Sequence, residues 1–277
     1  MITFRRLPAA VVATVTAVAP AVAAPSALAA VTSATAGTAT TVVAGARPGL
    51  SPMALHHGSR VANQESENWS GYIKPTSGAT SATGTWTVPT LSTQYNGYSS
   101  TWVGIDGASA NDEYLIQTGT EADVVNGRTS YDAWWEVITP TNVAPEVLFS
   151  GFSVTPGQSI TATVTKTSSS KWTMSLKNNT TGATASHSAT FRGPGSSAEW
   201  IQEDTDVNNS ISPAPDWHSV TFTGATVNGA RAGLTSSEAV DIVDSHGTQE
   251  DSTSAPNSTA DGFTVTWLAP GTATPLG

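Results

Sequence analysis

Apolar and polar positions alternate with a period of two along most of the chain beyond Asn68, and this pattern predicts strands. The run Ser159-Ile160-Thr161-Ala162-Thr163-Val164-Thr165 alternates almost without a break. Lys171 to Leu176, Ser219 to Phe222 and Gly262 to Trp267 do the same, and Thr85 to Val88 is a shorter run. Their Thr and Val residues suit a pleated, half-buried surface. Turn signals separate the runs at Asn126-Gly127, Pro156-Gly157, Thr181-Gly182, Gly193-Pro194-Gly195 and Asn228-Gly229. Asn178 to Gly182 reads as a hairpin loop. No stretch carries a helical apolar stripe. Many short strands at regular spacing predict an all-β fold, a two-sheet antiparallel β-sandwich of the lectin or jelly-roll kind. There is no internal repeat or composition break through 68–268, so residues 65–277 are expected to form one domain. The tail from Pro270 has no strand pattern.

The first residues follow a different pattern. Arg5 and Arg6 precede a stretch, Leu7 to Ala30, made almost wholly of Ala, Val, Pro, Thr and Leu. Small-residue cleavage patterns stand at Ala21-Val22-Ala23 and Ala27-Leu28-Ala29. Residues 1–30 therefore read as a secretory signal peptide, and the protein as secreted and extracellular. Pro8, Pro20 and Pro25 interrupt the stretch and argue against a membrane anchor, so no membrane association is expected after cleavage. Residues 31–64 are rich in Ala, Thr, Gly and Pro and cannot bury enough surface to fold alone. They read equally as a linker or as a propeptide whose Arg47, Arg60, His56 and His57 complement an acidic domain.

Charge and composition narrow the chemistry. The 277 residues carry 11 Lys+Arg against 21 Asp+Glu, a formal charge of −10. Nucleic-acid binding needs a basic face, so that class is set aside. With no cysteine there is no disulfide, no zinc–thiolate or iron–sulfur site and no thiol nucleophile. The nine Trp, five Tyr and six Phe are enough to build a core despite only 12% charged residues.

Strand parity sorts the candidate side chains onto faces. Between Tyr131 and Val137, one face carries Asp132, Trp134 and Glu136 and the other carries Tyr131, Ala133, Trp135 and Val137. A face with two carboxylates is expected to line a wet cleft, because burying unpaired charge is costly. Glu199, Ile201 and Glu203 likewise share a face, and Gln117 shares one with Leu115. A serine triad lacks its Gly-x-Ser-x-Gly elbow, and His187, His218 and His246 have no supporting signature. No metal-binding motif occurs, and Asp204 and Asp206 read as a solvated acidic loop rather than a calcium site. Asp132 and Glu136 lie about 13 Å apart along one strand, too far for a glycosidase pair on their own.

Five segments in order carry a resemblance. They are Asn68-Trp69-Ser70-Gly71-Tyr72, Trp102-Val103-Gly104-Ile105-Asp106-Gly107, Ile116-Gln117-Thr118-Gly119, Tyr131-Asp132-Ala133-Trp134-Trp135-Glu136, and Ser197-Ala198-Glu199-Trp200-Ile201-Gln202-Glu203. Together, from about Asn68 to Trp267, they resemble the glutamic peptidases, or eqolisins, which are secreted acid endopeptidases. The resemblance implies a sandwich of two curved antiparallel sheets and a catalytic pair, Gln117 and Glu199. It implies a substrate groove flanked by Trp69 and Trp102, with Asp106, Asp132 and Glu136 nearby; Trp134, on the same strand face as Asp132 and Glu136, is expected to bind substrate with them. The implied enzyme is a monomer that cleaves polypeptides and needs neither metal nor cofactor. In that reading Glu199 is general base and then acid on water, and Gln117 stabilises the oxyanion. The rival class is a lectin-like carbohydrate-binding module that uses exposed tryptophans. Fungal eqolisins usually carry cysteines, so this chain resembles a disulfide-free bacterial type.

Overall fold

The computed structural model describes residues 65–108 and 113–275, and the expected signal peptide and pro-segment lie outside them. Almost every described element is a strand, with one short 3-10 turn at Ser236–Glu238. The strands form two large sheets and one small ribbon. In the nine-stranded sheet the order is Glu65–Ser66, Ala239–Ile242, Trp69–Pro75, Ser197–Asp204, Ser99–Ile105, Leu115–Val125, Arg128–Thr139, Asn142–Val143. Val147–Leu148 adds a second short partner to Arg128–Thr139. The eight-stranded sheet runs Thr184–Thr190, Lys171–Asn178, Ser159–Lys166, Ser81–Thr87, Ser219–Val227, Phe263–Trp267, Asp251–Thr253, with Ala230–Arg231 pairing onto Ser219–Val227.

Pairing is antiparallel except at one edge, where Glu65–Ser66 runs parallel to Asp241–Ile242. The expected sandwich is therefore present, with a mixed edge. The tail departs from expectation, because Thr274–Pro275 pairs with Ser210–Ile211. Two of the turn signals close two-residue hairpins. Asn126 and Gly127 have φ of 53° and 72°, and Asn228 and Gly229 have 53° and 75°. Positive φ at both central residues matches the right-handed twist of the flanking strands.

The main core fills the space between the sheets. Tyr72, Val103, Ile105, Ile116 and Trp200 enter from one side, and Trp86, Ile160, Val164, Met174, Phe222 and Val265 from the other. Two indoles tie the layers together. Trp86 Nε1 donates to Thr120 Oγ1 at 3.1 Å, and Trp200 Nε1 donates to the Thr83 carbonyl at 2.7 Å. The outward face of the eight-stranded sheet carries hydroxyls, paired across strands as Thr83 with Thr163 at 3.1 Å and Thr85 with Thr161 at 2.7 Å. Such pairs satisfy each other without any ionisable group.

The nine-stranded sheet buries both of its faces. The face away from the main core carries a second apolar cluster of Trp69, Trp102, Leu115, Trp134, Ile138, Ile201 and Val240. Double burial explains why Ser99–Ile105 is buried at every position and shows no alternation in sequence.

Candidate active site

Register places the key side chains in one row across this second face. Glu199 is opposite Gly104, Gly104 is opposite Gln117, and Gln117 is opposite Glu136. Ile73 closes the row on the far side of Glu199. Residues in one row across a sheet point to the same face, so Glu199, Gln117 and Glu136 converge. Gly104 contributes no side chain between Glu199 and Gln117, whose backbones stand two strand spacings, about 10 Å, apart; the Trp102 ring and Leu115 pack over this position, and Glu199 and Gln117 are both 0% exposed. A Cβ built on Gly104 would meet the Trp102 ring at 2.7 Å.

Rows on either side of this one are apolar. Toward one end Leu115 opposes Ile138, and toward the other Ile201, Trp102, Gly119 and Trp134 follow in register. Gly119 is required there, since a Cβ would sit 2.3 Å from the Thr101 carbonyl oxygen. One row further lie Trp69, Glu203, Ser100, Glu121 and Asp132.

Glu203 organises the tryptophans. Its Oε2 accepts from Trp102 Nε1 at 2.6 Å, and its Oε1 accepts from Trp69 Nε1 and from Asn68 Nδ2, each at 3.2 Å. The two rings meet edge to face with centroids 4.9 Å apart. One buried carboxyl thus fixes two indoles, and the sequence pattern showed only that Glu203 shares a face with Glu199. The expected wet cleft is corrected here. Trp134 and Glu136 are buried, and only Asp132 on that strand face is partly exposed. The carboxyls are set into an apolar cluster rather than laid on an open surface. Trp69, Trp102 and Trp134 each have 0% exposure, whereas Trp135 and Trp267 are partly exposed.

Gln117 Nε2 donates to Glu136 Oε2 at 2.7 Å. Burial pushes the Glu136 carboxyl well above the usual range, the Gln117 amide draws it back in part, and Glu146 and Glu203 push it further up. Glu121, also buried, is raised by burial and by Glu146 and Asp123 beside it.

Asp106 departs from its expected place against substrate. Its carboxylate accepts from the Gly195 N–H at 3.0 Å and from the Ser196 hydroxyl at 3.0 Å, as well as from the Ser196 N–H. With φ of 70°, Asp106 leaves the strand and turns onto the loop that leads into Ser197–Asp204. Gly193 permits this approach, since a Cβ there would lie 2.2 Å from Asp106 Oδ2. Asp106 therefore positions the strand that carries Glu199. Asp132 lies four residues along its strand from Glu136, opposite Glu121.

The other acids also differ from expectation. Asp204 is buried rather than solvated, and burial together with Glu250 raises its carboxyl. Asp206 Oδ1 accepts from the Ser210 N–H at 2.8 Å and closes a turn. Among the described residues, no group of three or more His, Cys, Asp or Glu is placed to hold a metal ion. His187 stacks on Trp135 with centroids 3.7 Å apart, on the face of that strand opposite Glu136.

Fold and register together give a β-sandwich with a buried glutamine set among carboxyls on one sheet face. The Peptidase A4 family model matches residues 67–267, and the chain belongs to that family, the glutamic peptidases. It is therefore a peptide hydrolase. The chain is 32% identical to aspergillopepsin-2 of Aspergillus niger over 223 residues, 70% of this chain and 77% of that protein. It is 36% identical to scytalidopepsin B of Scytalidium lignicola over 149 residues, 52% of this chain and 54% of that protein. Among solved structures, aspergilloglutamic peptidase from Aspergillus niger superposes with a TM-score of 0.54 at 34% identity, covering 62% of this chain and 99% of that one. Scytalido-glutamic peptidase bound to a transition-state analog inhibitor gives a TM-score of 0.58 at 24% identity, covering 73% and 98%.

Proposed function

We propose that the protein is a secreted acid endopeptidase in which Glu199 and Gln117 act together on a peptide bond held over Gly104. The observation that carries this reading is the shared row, in which an acid and an amide flank a strand position that has no side chain of its own. Ionised Glu199 takes a proton from water, and the resulting hydroxide adds to the peptide carbonyl carbon. A Gln117 N–H donates to the oxygen that becomes negative. Glu199 then returns its proton to the departing nitrogen as the C–N bond breaks. Both partners suit acid, since an amide is neutral at every pH and carboxyl groups exchange protons near pH 4. A histidine base would be protonated under the same conditions.

Glu203, through Trp69 and Trp102, would fix the packing around the Gln117 row. Residues 1–30 would direct export, 31–64 would be removed or serve as a linker, and the mature protein would act as a monomer without cofactor. No helix among the described residues is long and apolar enough to cross a membrane. The test is to incubate mature protein with an unfolded polypeptide from pH 2 to 8, with pepstatin and a chelator present, and to run Glu199→Ala alongside. The expected result is internal cleavage confined to acid, unaffected by either inhibitor and absent in the variant. Equal cleavage by the variant would refute the assignment.

A further inference from the structure

Two polar atoms at the centre of the site are buried and have no hydrogen-bond partner among the described residues. They are Gln117 Oε1 and Glu136 Oε1. The other end of each group is occupied, because Gln117 Nε2 donates to Glu136 Oε2 at 2.7 Å. An amide can turn by 180° and exchange its donor for its acceptor, so an oxyanion-stabilising glutamine is useful only if something holds it one way round. The strand pairing that sets Gln117 directly opposite Glu136 supplies such an anchor.

We propose that Glu136 is a positioning residue for the reaction: as an uncharged carboxylic acid it accepts one Gln117 N–H on its carbonyl oxygen and so aims the second N–H and Oε1 of Gln117 at the peptide. This rests on the dyad reading above. The uncharged form follows from the surroundings. Glu136 is 1% exposed, and the charged groups that act on it are the acids Glu146 and Glu203. Glu199 stands in the same row, and Glu121 and Asp132 lie two rows along the same face. A second negative charge beside the carbonyl being attacked would oppose the oxyanion that Gln117 serves. A neutral acid keeps the acceptor that Gln117 needs without that charge. The proton resides on Oε1, away from Gln117, so the donor and acceptor ends of the pair match.

Three variants and two readouts test this. Glu136→Gln keeps a carbonyl acceptor of the same reach and cannot ionise. It should hold kcat/KM at the acid optimum within about fivefold of the parent, and its falling limb should move toward neutral pH. Glu136→Ala frees the amide and should lower kcat by about a hundredfold, the scale of losing an oxyanion donor, with KM little changed. Initial rates are taken within minutes of transfer from acid storage, with circular dichroism confirming the fold. Glu199→Ala, run in parallel, reports on the dyad itself. An inactive Glu199→Ala beside a Glu136→Ala of parental kcat would overturn this inference and leave the dyad standing. A Glu136→Gln as weak as Glu136→Ala, or one with an unmoved limb, would overturn it too, and this variant decides the matter if Glu136→Ala does not fold. An active Glu199→Ala would remove the dyad on which both readings rest.

Discussion

Gln117 and Glu199 face each other across Gly104, each in direct register with it from opposite sides. The strand between the two candidate catalytic residues contributes no side chain at that position. The Trp102 ring and Leu115 pack over that position instead, the ring within 2.7 Å of where a Gly104 Cβ would be.

Gly104→Ala should therefore impair turnover while leaving the fold. The added methyl meets the buried Trp102 ring at 2.7 Å, so the ring or the strand must shift. Overpacking of this kind costs about 1–3 kcal/mol. The expected outcome is a modest loss of melting temperature with a drop in kcat/KM of at least about tenfold, because a small displacement at a reacting centre is expensive. Parental kcat/KM in the purified variant would show that the packing of Trp102 over Gly104 does not bear on turnover.

Glu203 should prove more important to the groove than its distance from Gln117 suggests. Removing its carboxyl in Glu203→Ala leaves the N–H donors of Trp69, Trp102 and Asn68 without this acceptor in a buried site. Each unsatisfied buried donor costs about 1–3 kcal/mol. Glu203→Gln is expected to be only a partial rescue, because its amide nitrogen would face one of those N–H groups. Denaturant unfolding checks the order parent, then Gln, then Ala. An Ala variant as stable as the parent would contradict the anchoring role.

Stability should fall as pH rises from acid to neutral. The Asp251 carboxyl is pushed up to about 8 by burial, against the pull of Ser70 and the Ile242 N–H, and with Asp241 and Glu250 adding to the rise. Glu250 is raised to about 6, mainly by burial, and buried Asp204 is raised in the same group. An acid whose folded pKa lies above its unfolded value near 4 stabilises the fold while protonated. That contribution is complete below about pH 4 and is lost as pH passes through about 6 for Glu250 and about 8 for Asp251. Melting temperature should therefore be highest near pH 3–4 and decline through neutrality. Asp251→Asn should flatten that decline. A melting temperature that rises from pH 4 to 7 would contradict the assignment.

Much of this was legible in the sequence, and the exceptions have physical causes. Period-two parity correctly joined Trp134 with Glu136 and Glu199 with Glu203, because a strand's alternation is local. The expectation that acids mark a wet face failed at Glu136, Glu203 and Asp204. All three are buried, two of them among tryptophans and one against Glu250. Cost arguments against buried charge do not hold where burial pushes the carboxyl toward its neutral form, as at Glu136 and Asp204, or where the carboxyl is met by donors, as Glu203 is by three N–H groups. Ser99–Ile105 had no readable period because both of its faces are covered. The row joining Gln117, Gly104 and Glu199 comes from pairing between strands distant in sequence, which no local pattern encodes. The role of Asp106 was hidden for a related reason, since its partners at Gly195 and Ser196 are reached only through the fold.

The central claim is that Glu199 and Gln117 form one catalytic unit, and a double-mutant cycle tests it most directly. Steady-state kcat/KM would be measured at the acid optimum for the parent, Glu199→Gln, Gln117→Ala and the double variant, each confirmed folded by circular dichroism. If water activation and oxyanion support belong to one step, each single variant should lose on the order of a thousandfold or more, and the double should be little worse than the weaker single. A single variant that keeps a tenth of parental activity, or losses that simply multiply, would contradict the account.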